Sequence, residues 1–347
     1  MSRTHSPSRR LAALAISASL LFGAAACGSD DDETGADTVA QGSTDEGSGN
    51  GDTRQFEQPD GTVVEIPAEP QSIVACGYAV LPLVQAGANL SAVCEWTREL
   101  ENMNDEEKAA YDAIDKVAPD GDVSSLDYEG VAAADPDLII MGVPAMAKSI
   151  VDMERLEGLA PVVFIGPVTP GDWRTLGEQY ADAAGVGDNY GEFKDEYEAR
   201  AAEIEEAFSE QFADLTFGGI CADCDEGAGT ITVEYRSSYT VNLLDDLGLN
   251  FPGEPSNPDD VHGETLSLEQ LTSAFADIDV IVYKVDADGS TPEPLATIQQ
   301  SDAWKSLPAV QAGQVIEVEH ARAATYRTAL LALDSIEESL TELAAAL

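Results

Sequence analysis

Residues 190–212 read YGEFKDEYEARAAEIEEAFSEQF, and this segment divides the chain. Its second half is dominated by Glu, Ala, Lys and Arg, so about 20 residues of helix are expected there. On both sides, short apolar runs alternate with helical segments. Ser72-Ile73-Val74-Ala75-Cys76, a helix over 81–88 and Ser91-Ala92-Val93-Cys94-Glu95 form a strand–helix–strand unit, which should be parallel and right-handed. A helix over 128–134 is stopped by Asp135-Pro136 and leads into the buried strand Leu138-Ile139-Ile140-Met141. Another helix over 151–159 leads into a strand over 161–165, and a further helix covers 172–184. Beyond 212, strands over 216–221, 230–234, 280–283 and 315–318 alternate with helices over 238–247, 266–274 and 325–346. Residues 56–70 read as a hairpin turned at Asp60-Gly61. The expected architecture is α/β: two Rossmann-like lobes with mostly parallel sheets, 55–188 and 213–347, joined by one long bridging α-helix over 189–212.

The N-terminus carries a separate signal. Arg9 and Arg10 precede an apolar run over 11–22, long enough for a signal peptide and too short to span a bilayer. Gly23-Ala24-Ala25-Ala26 then leads to Cys27. This resembles the lipobox of bacterial lipoproteins, with Ala24 where Leu is usual. The resemblance implies a signal peptide over 1–26, cleavage before Cys27, lipidation of its thiol, and a place on the extracytoplasmic face of the cell membrane. Residues 27–54 are acidic and rich in Gly and Ser, with one Val as their only sizeable apolar side chain, and are expected to form a flexible tether.

The whole chain carries a formal charge of −48, and from residue 55 onward 57 acidic residues face 13 basic ones. Such a surface repels nucleic acid and reads as adapted to high salt. No GxSxG elbow is present, and His262 and His320 alone, beyond the signal segment, leave little general-base chemistry, so a hydrolase is disfavoured. The body holds four cysteines, an even number in an exported chain. Cys76 and Cys94 end two strands expected to be neighbours, which predicts a disulfide. Cys221 and Cys224 form a second expected pair. A CxxC zinc half-site lacks its partner pair, so no metal site and no catalytic residue are expected.

Several fragments then coincide in order and spacing. They are Gly61-Thr62-Val63-Val64-Glu65-Ile66-Pro67, Asp127-Tyr128-Glu129, Ala134-Asp135-Pro136-Asp137-Leu138-Ile139-Ile140 and Leu159-Ala160-Pro161-Val162. Ser267-Leu268-Glu269-Gln270-Leu271, Trp304, Leu307-Pro308-Ala309-Val310 and Gly313-Gln314-Val315 complete the set. Residues 60–345 thereby resemble the siderophore, haem and cobalamin class of ABC-transporter substrate-binding proteins. The resemblance implies a monomer with its ligand cleft between the lobes, which delivers a small molecule to a membrane permease with its ATPase subunits. It also implies docking of the permease by one acidic residue on each lobe, here Glu129 and Glu269. The chain has no GxxxxGK[ST], so it does not hydrolyse the nucleotide itself.

Ligands of parallel α/β lobes sit beyond the carboxyl ends of strands. That rule nominates Tyr78, Trp96, Arg98, Met146, Trp173, Arg236, Tyr239, Lys284, Arg322 and Tyr326 as cleft residues. Arg and aromatic side chains suit a ferric siderophore, whose chelating oxygens keep partial negative charge and accept charge-assisted hydrogen bonds. The scarcity of basic groups favours a hydroxamate over a highly anionic tri-catecholate. Haem, needing an axial Tyr or His, and cobalamin are the alternative cargoes, and a cell-surface sensor is the alternative role. No resident cofactor is expected.

Overall fold

The computed structural model describes residues 52–98, 100–224, 229–257 and 262–347. The predicted signal peptide, the lipidation site Cys27 and nearly all of the tether lie outside them. Among the described residues no helix is long and apolar enough to cross a membrane.

A hairpin opens the described chain: β1 (Thr53–Glu57) pairs antiparallel with β2 (Val63–Pro67). β1 thus takes in Thr53 and Arg54, which the sequence placed in the tether. The hairpin is fastened to the lobe that follows, where Gln58 Oε1 accepts the Phe164 N–H at 2.6 Å.

The N-terminal lobe alternates β3 (Ile73–Gly77), α1 (Val80–Gln85), β4 (Leu90–Cys94), α2 (Asp105–Asp112), β5 (Asp115–Ala118), α3 (Tyr128–Ala133), β6 (Leu138–Gly142), α4 (Met153–Glu157) and β7 (Val162–Phe164). Its sheet is wholly parallel in the order β5-β4-β3-β6-β7. Helices cover both faces, so the central strands are continuous apolar runs; all five residues of β6 are buried. β5 escaped the sequence reading because it is a four-residue edge strand that starts on exposed Asp115.

α5 (Trp173–Ala183) and α6 (Gly187–Phe212) follow. α6 is the expected long helix, 26 residues in length, and it buries Tyr190, Tyr197, Ala201, Ile204 and Phe212 along one side. Gly177 lets α5 close on it: a Cβ there would fall on the Tyr190 ring.

The C-terminal lobe holds β8 (Phe217–Cys221), β9 (Thr230–Glu234), α7 (Val241–Asp245), β10 (Gly263–Ser267), α8 (Leu271–Ala274), β11 (Val280–Lys284), α9 (Glu293–Gln299), α10 (Asp302–Lys305), α11 (Pro308–Ala312), β12 (Val315–Val318) and α12 (Tyr326–Ala346). Its sheet runs β10-β9-β8-β11-β12. β8, β11 and β12 are parallel, whereas β9 runs antiparallel to both β8 and β10. The helix expected over 266–274 is therefore shorter: Leu266 and Ser267 finish β10. The Ser267–Gln270 capping box then starts a short 3-10 turn ahead of α8.

The two lobes share a core. Trp173 of α5, Tyr197 of α6 and Tyr326 of α12 pack edge-on or tilted at 5.1–5.8 Å between ring centroids. One apolar cluster runs from Ala86 and Ala181 in the first lobe to Val280, Ile316 and Leu333 in the second.

Candidate functional site

In the first lobe the site begins where β3 and β4 end. The Cys76–Cys94 disulfide joins these two strand ends, with Cα atoms 4.6 Å apart and both side chains wholly buried. Gly77 follows at φ +63°, and its missing Cβ is what allows the chain to pass against the Gly142 carbonyl. Tyr78 comes next, its N–H donating to Gly142 O at 2.8 Å. The Arg98 guanidinium donates to the Tyr78 hydroxyl and lies over the Tyr78 ring, 4.9 Å from its centroid. Trp96 meets the same ring edge-on at 6.2 Å. Burial holds the Tyr78 hydroxyl above the usual phenol range, against the pull of Arg98. The buried Trp96 Nε1–H finds no acceptor among the described residues. Arg98 has no carboxylate partner among them either.

The second lobe supplies the facing wall. The Cys221–Cys224 disulfide clips the turn after β8 and presents Asp223. Asp223 Oδ2 accepts from Lys284 Nζ at 3.1 Å and from Arg322 Nη2 at 3.0 Å. Arg322 lies over the Tyr239 ring at 5.6 Å. Cys221, Asp223 and Cys224 are near enough to share a metal ion, but both sulfurs are spent on each other and no thiolate is left to bind one. Beside this group, His320 Nδ1 meets Asn102 Oδ1 at 2.6 Å, a link between the lobes. Lys284 also meets Asp286 at 3.6 Å, so three cations (Arg98, Lys284 and Arg322) stand with two carboxylates, a local excess of one positive charge in a strongly acidic chain.

Under Asp223 lies a buried acid. Glu234 is 3% exposed; its Oε1 accepts Ser238 Oγ at 2.7 Å and the Thr240 N–H at 3.2 Å, while Oε2 has no partner among the described residues. Burial pushes its carboxyl above the ordinary range, and nearby Asp223 adds to the push. A raised folded-state pKa supports folding at low pH, and that support is lost as pH climbs through the raised value. Glu234→Gln is therefore expected to gain stability over the wild type between pH 5 and pH 8, read as urea midpoints. A stability gap that stays constant with pH would show that Glu234 is already ionised at pH 5.

The structure thus gathers Tyr78, Trp96 and Arg98 on one side and Tyr239, Lys284 and Arg322 on the other. The remaining nominated residues lie elsewhere. Trp173 and Tyr326 are buried in the inter-lobe aromatic cluster, bonded to Asn242 at 3.1 Å and Glu178 at 2.7 Å. Met146 stands 77% exposed beyond β6. Arg236 pairs with Asp245 and donates to the Phe251 carbonyl. The antiparallel direction of β9 explains that placement. Glu234 sits opposite Gly219, so residues 235 and 236 continue toward the Phe217 end of β8, away from Cys221. Glu129 is exposed beside Arg155, and Glu269 is exposed on the turn before α8. The sequence reading missed Asp223 as an organiser and Asn102 as a link. Only the placement of Asp223 inside a CxxC at a strand end signals the first.

Comparison with known proteins supplies the rest. Residues 73–321 match the periplasmic binding protein family. A Bacillus subtilis (strain 168) protein, YhfQ, named as an ABC transporter substrate-binding lipoprotein, is 23% identical over 269 residues, covering 74% of this chain and 78% of that protein. The siderophore periplasmic binding protein from the fuscachelin gene cluster of Thermobifida fusca superposes with a TM-score of 0.64 at 29% identity, over 80% of this chain and 99% of that one. Staphylococcus aureus SirA complexed with staphyloferrin B shares the fold, with a TM-score of 0.64 at 19% identity over 83% and 99% of the two chains.

Proposed function

The chain belongs to the periplasmic binding protein family, whose members bind solutes and are not enzymes, and from that premise we propose that it captures a ferric siderophore for an ABC importer. The observation that carries this reading is Arg98. It is a cation without a carboxylate partner among the described residues, held on Tyr78 and facing the Asp223–Lys284–Arg322 group. Chelating oxygens around ferric iron accept hydrogen bonds from such a guanidinium, and Tyr78, Trp96 and Tyr239 offer flat apolar walls to the chelator arms. An excess of only one charge suits a hydroxamate complex better than a tri-catecholate. Haem is less well served at Tyr78, whose burial disfavours the phenolate that an axial tyrosine must become. In this reading Cys27 anchors the protein outside the membrane, and Glu129 and Glu269 meet the permease.

Titration of the protein with ferrioxamine, ferric catecholates, haem and cobalamin, followed by tryptophan fluorescence, tests it. Trp96 touches Tyr78, so ferrioxamine is expected to quench strongly and at lower concentration than the other three. Silence toward every iron chelate, with a response to haem or cobalamin, would overturn the siderophore reading.

A further inference from the structure

Trp96 and Arg98 lie on the chain between β4 and α2, and the near end of that segment is held within the first lobe. Cys94 is bonded to Cys76, and the Trp96 N–H donates to the Tyr111 hydroxyl at 2.8 Å. Past Arg98 the holds come from the second lobe. A short 3-10 turn, Leu100–Asn102, brings Asn102 to 7% exposure, and its Oδ1 accepts from His320 Nδ1 at 2.6 Å. Asn104 then caps α2: its Oδ1 accepts the Glu107 N–H at 2.9 Å, and Glu107 Oε2 accepts the Asn104 N–H at 3.0 Å. The other oxygen of the buried Glu107 stands 2.9 Å from Arg327 Nε, an ion pair whose N–H is not aimed at the oxygen.

Both second-lobe partners come from one stretch. His320 and Arg322 lie on the connection from β12 to α12, and Arg327 is in the first turn of α12. Ala324 of the same connection is buried in the apolar cluster of the first lobe. Arg322 thus sits between two points fastened to the first lobe, and Arg98 sits between the Cys94 anchor and Asn102. The Tyr78 hydroxyl, which accepts from Arg98, is also within electrostatic reach of Arg322. His320 is held at φ +55°, a left-handed conformation that strains most L-residues and suits glycine or asparagine better. The turn so made aims the imidazole at Asn102.

We propose that Asn102 and His320 are positioning residues for the cargo. With the Glu107–Arg327 pair they clasp the Arg98 segment to the Arg322 segment, and so set the separation of the two guanidinium groups that grip the ligand from opposite lobes. A segment left loose beyond Arg98 has to be ordered when cargo arrives, and that ordering is subtracted from affinity. The clasp rests on the siderophore reading for what is gripped, but its hold on the Arg98 segment is testable without it.

His320→Gly removes the hydrogen-bond donor and the backbone strain together, so its effects on stability oppose each other and the urea midpoint should move little. Ferrioxamine affinity should nevertheless fall about tenfold. His320→Asn should recover most of that loss. Its amide nitrogen is as many bonds from Cα as Nδ1, and Asn tolerates a left-handed backbone. In an Arg98→Leu background, His320→Gly should cost less than about twofold more, because the group it positions is gone. Unchanged affinity in His320→Gly overturns the clasp, and so does a loss of the same size without Arg98. Hydrogen exchange of the full, cargo-free chain gives a readout that needs no chelate. The peptide covering residues 96–104 should exchange faster in His320→Gly and near the wild-type rate in His320→Asn. Where the wild type binds no iron chelate, that exchange pattern keeps the clasp and sinks the siderophore reading alone. Exchange in His320→Gly equal to the wild type overturns the clasp.

Discussion

Arg98→Leu is expected to weaken ferric hydroxamate binding by about 100-fold while leaving stability within about 0.5 kcal/mol of the wild type. The asymmetry follows from its contacts. Within the described protein its guanidinium meets only Tyr78, as a hydrogen-bond donor and as a cation over the ring. Folding gains little from a half-buried cation that pairs with no carboxylate among the described residues, whereas a bound anionic oxygen would gain a charge-assisted hydrogen bond in a partly desolvated cleft. Arg322→Leu serves as the contrast. Its partner Asp223 keeps Lys284 at 3.1 Å, so the local charge falls by one without stranding a carboxylate, and a smaller loss is expected. Isothermal titration with ferrioxamine and urea unfolding of both variants read the two quantities separately. Unchanged affinity in Arg98→Leu would remove Arg98 from the site.

The second large effect is expected at Arg174, for stability rather than binding. Its guanidinium lies between three helices. It donates to Asn242 Oδ1 at 2.7 Å and to the Asn242 carbonyl at 3.2 Å on α7, to the Tyr197 hydroxyl at 3.3 Å on α6, and to Asp246 just past α7. Arg174 itself belongs to α5, so one side chain ties both lobes to the bridge. Removing it leaves several acceptors short of a donor, and Asp246, about one-third exposed, recovers only part of the loss from water. Arg174→Leu should cost about 3 kcal/mol, the lower end for a broken buried pair. For a body of this size that corresponds to a fall in Tm of roughly 5 °C. Arg174→Lys should recover less than half, because an ammonium cannot reproduce the planar fork. A Tm unchanged in Arg174→Leu would show that the network carries no stability.

The same residues show how far the sequence could be read. Strands buried on both faces, such as β3 and β6, announce themselves as unbroken apolar runs, and the long helix α6 is evident from its composition. β5 and β10 are edge strands with exposed polar positions, and their brief patterns do not stand out from loops. Strand direction is harder still. β9 is five residues of mostly apolar or β-branched type, a pattern that says nothing about orientation, and Arg236 was expected at the mouth on that account. Aromatic residues carry a similar ambiguity. Tyr78 and Tyr239 remain half-exposed around Arg98 and Arg322, whereas Trp173 and Tyr326 fill the core between lobes. The pairing of the four cysteines was legible because parity and strand adjacency point the same way.

The ties between the lobes are numerous and of several kinds. Gly171 donates to the Ser237 carbonyl at 3.0 Å, and Tyr326 bonds Glu178 at 2.7 Å. His320 meets Asn102 at 2.6 Å, and Arg327 meets the buried Glu107 at 2.9 Å. One apolar cluster crosses the boundary beneath them. A boundary so bonded is not a seam along which half the molecule can come apart. Opening one lobe exposes the apolar cluster it shares with the other, so each lobe lends the other its free energy of folding, and the pair is expected to melt in a single cooperative step. Two sheets, each near the size of a small domain, thereby share one stability. A destabilised residue anywhere in either lobe draws on the common store, and partly unfolded forms with one intact lobe stay scarce.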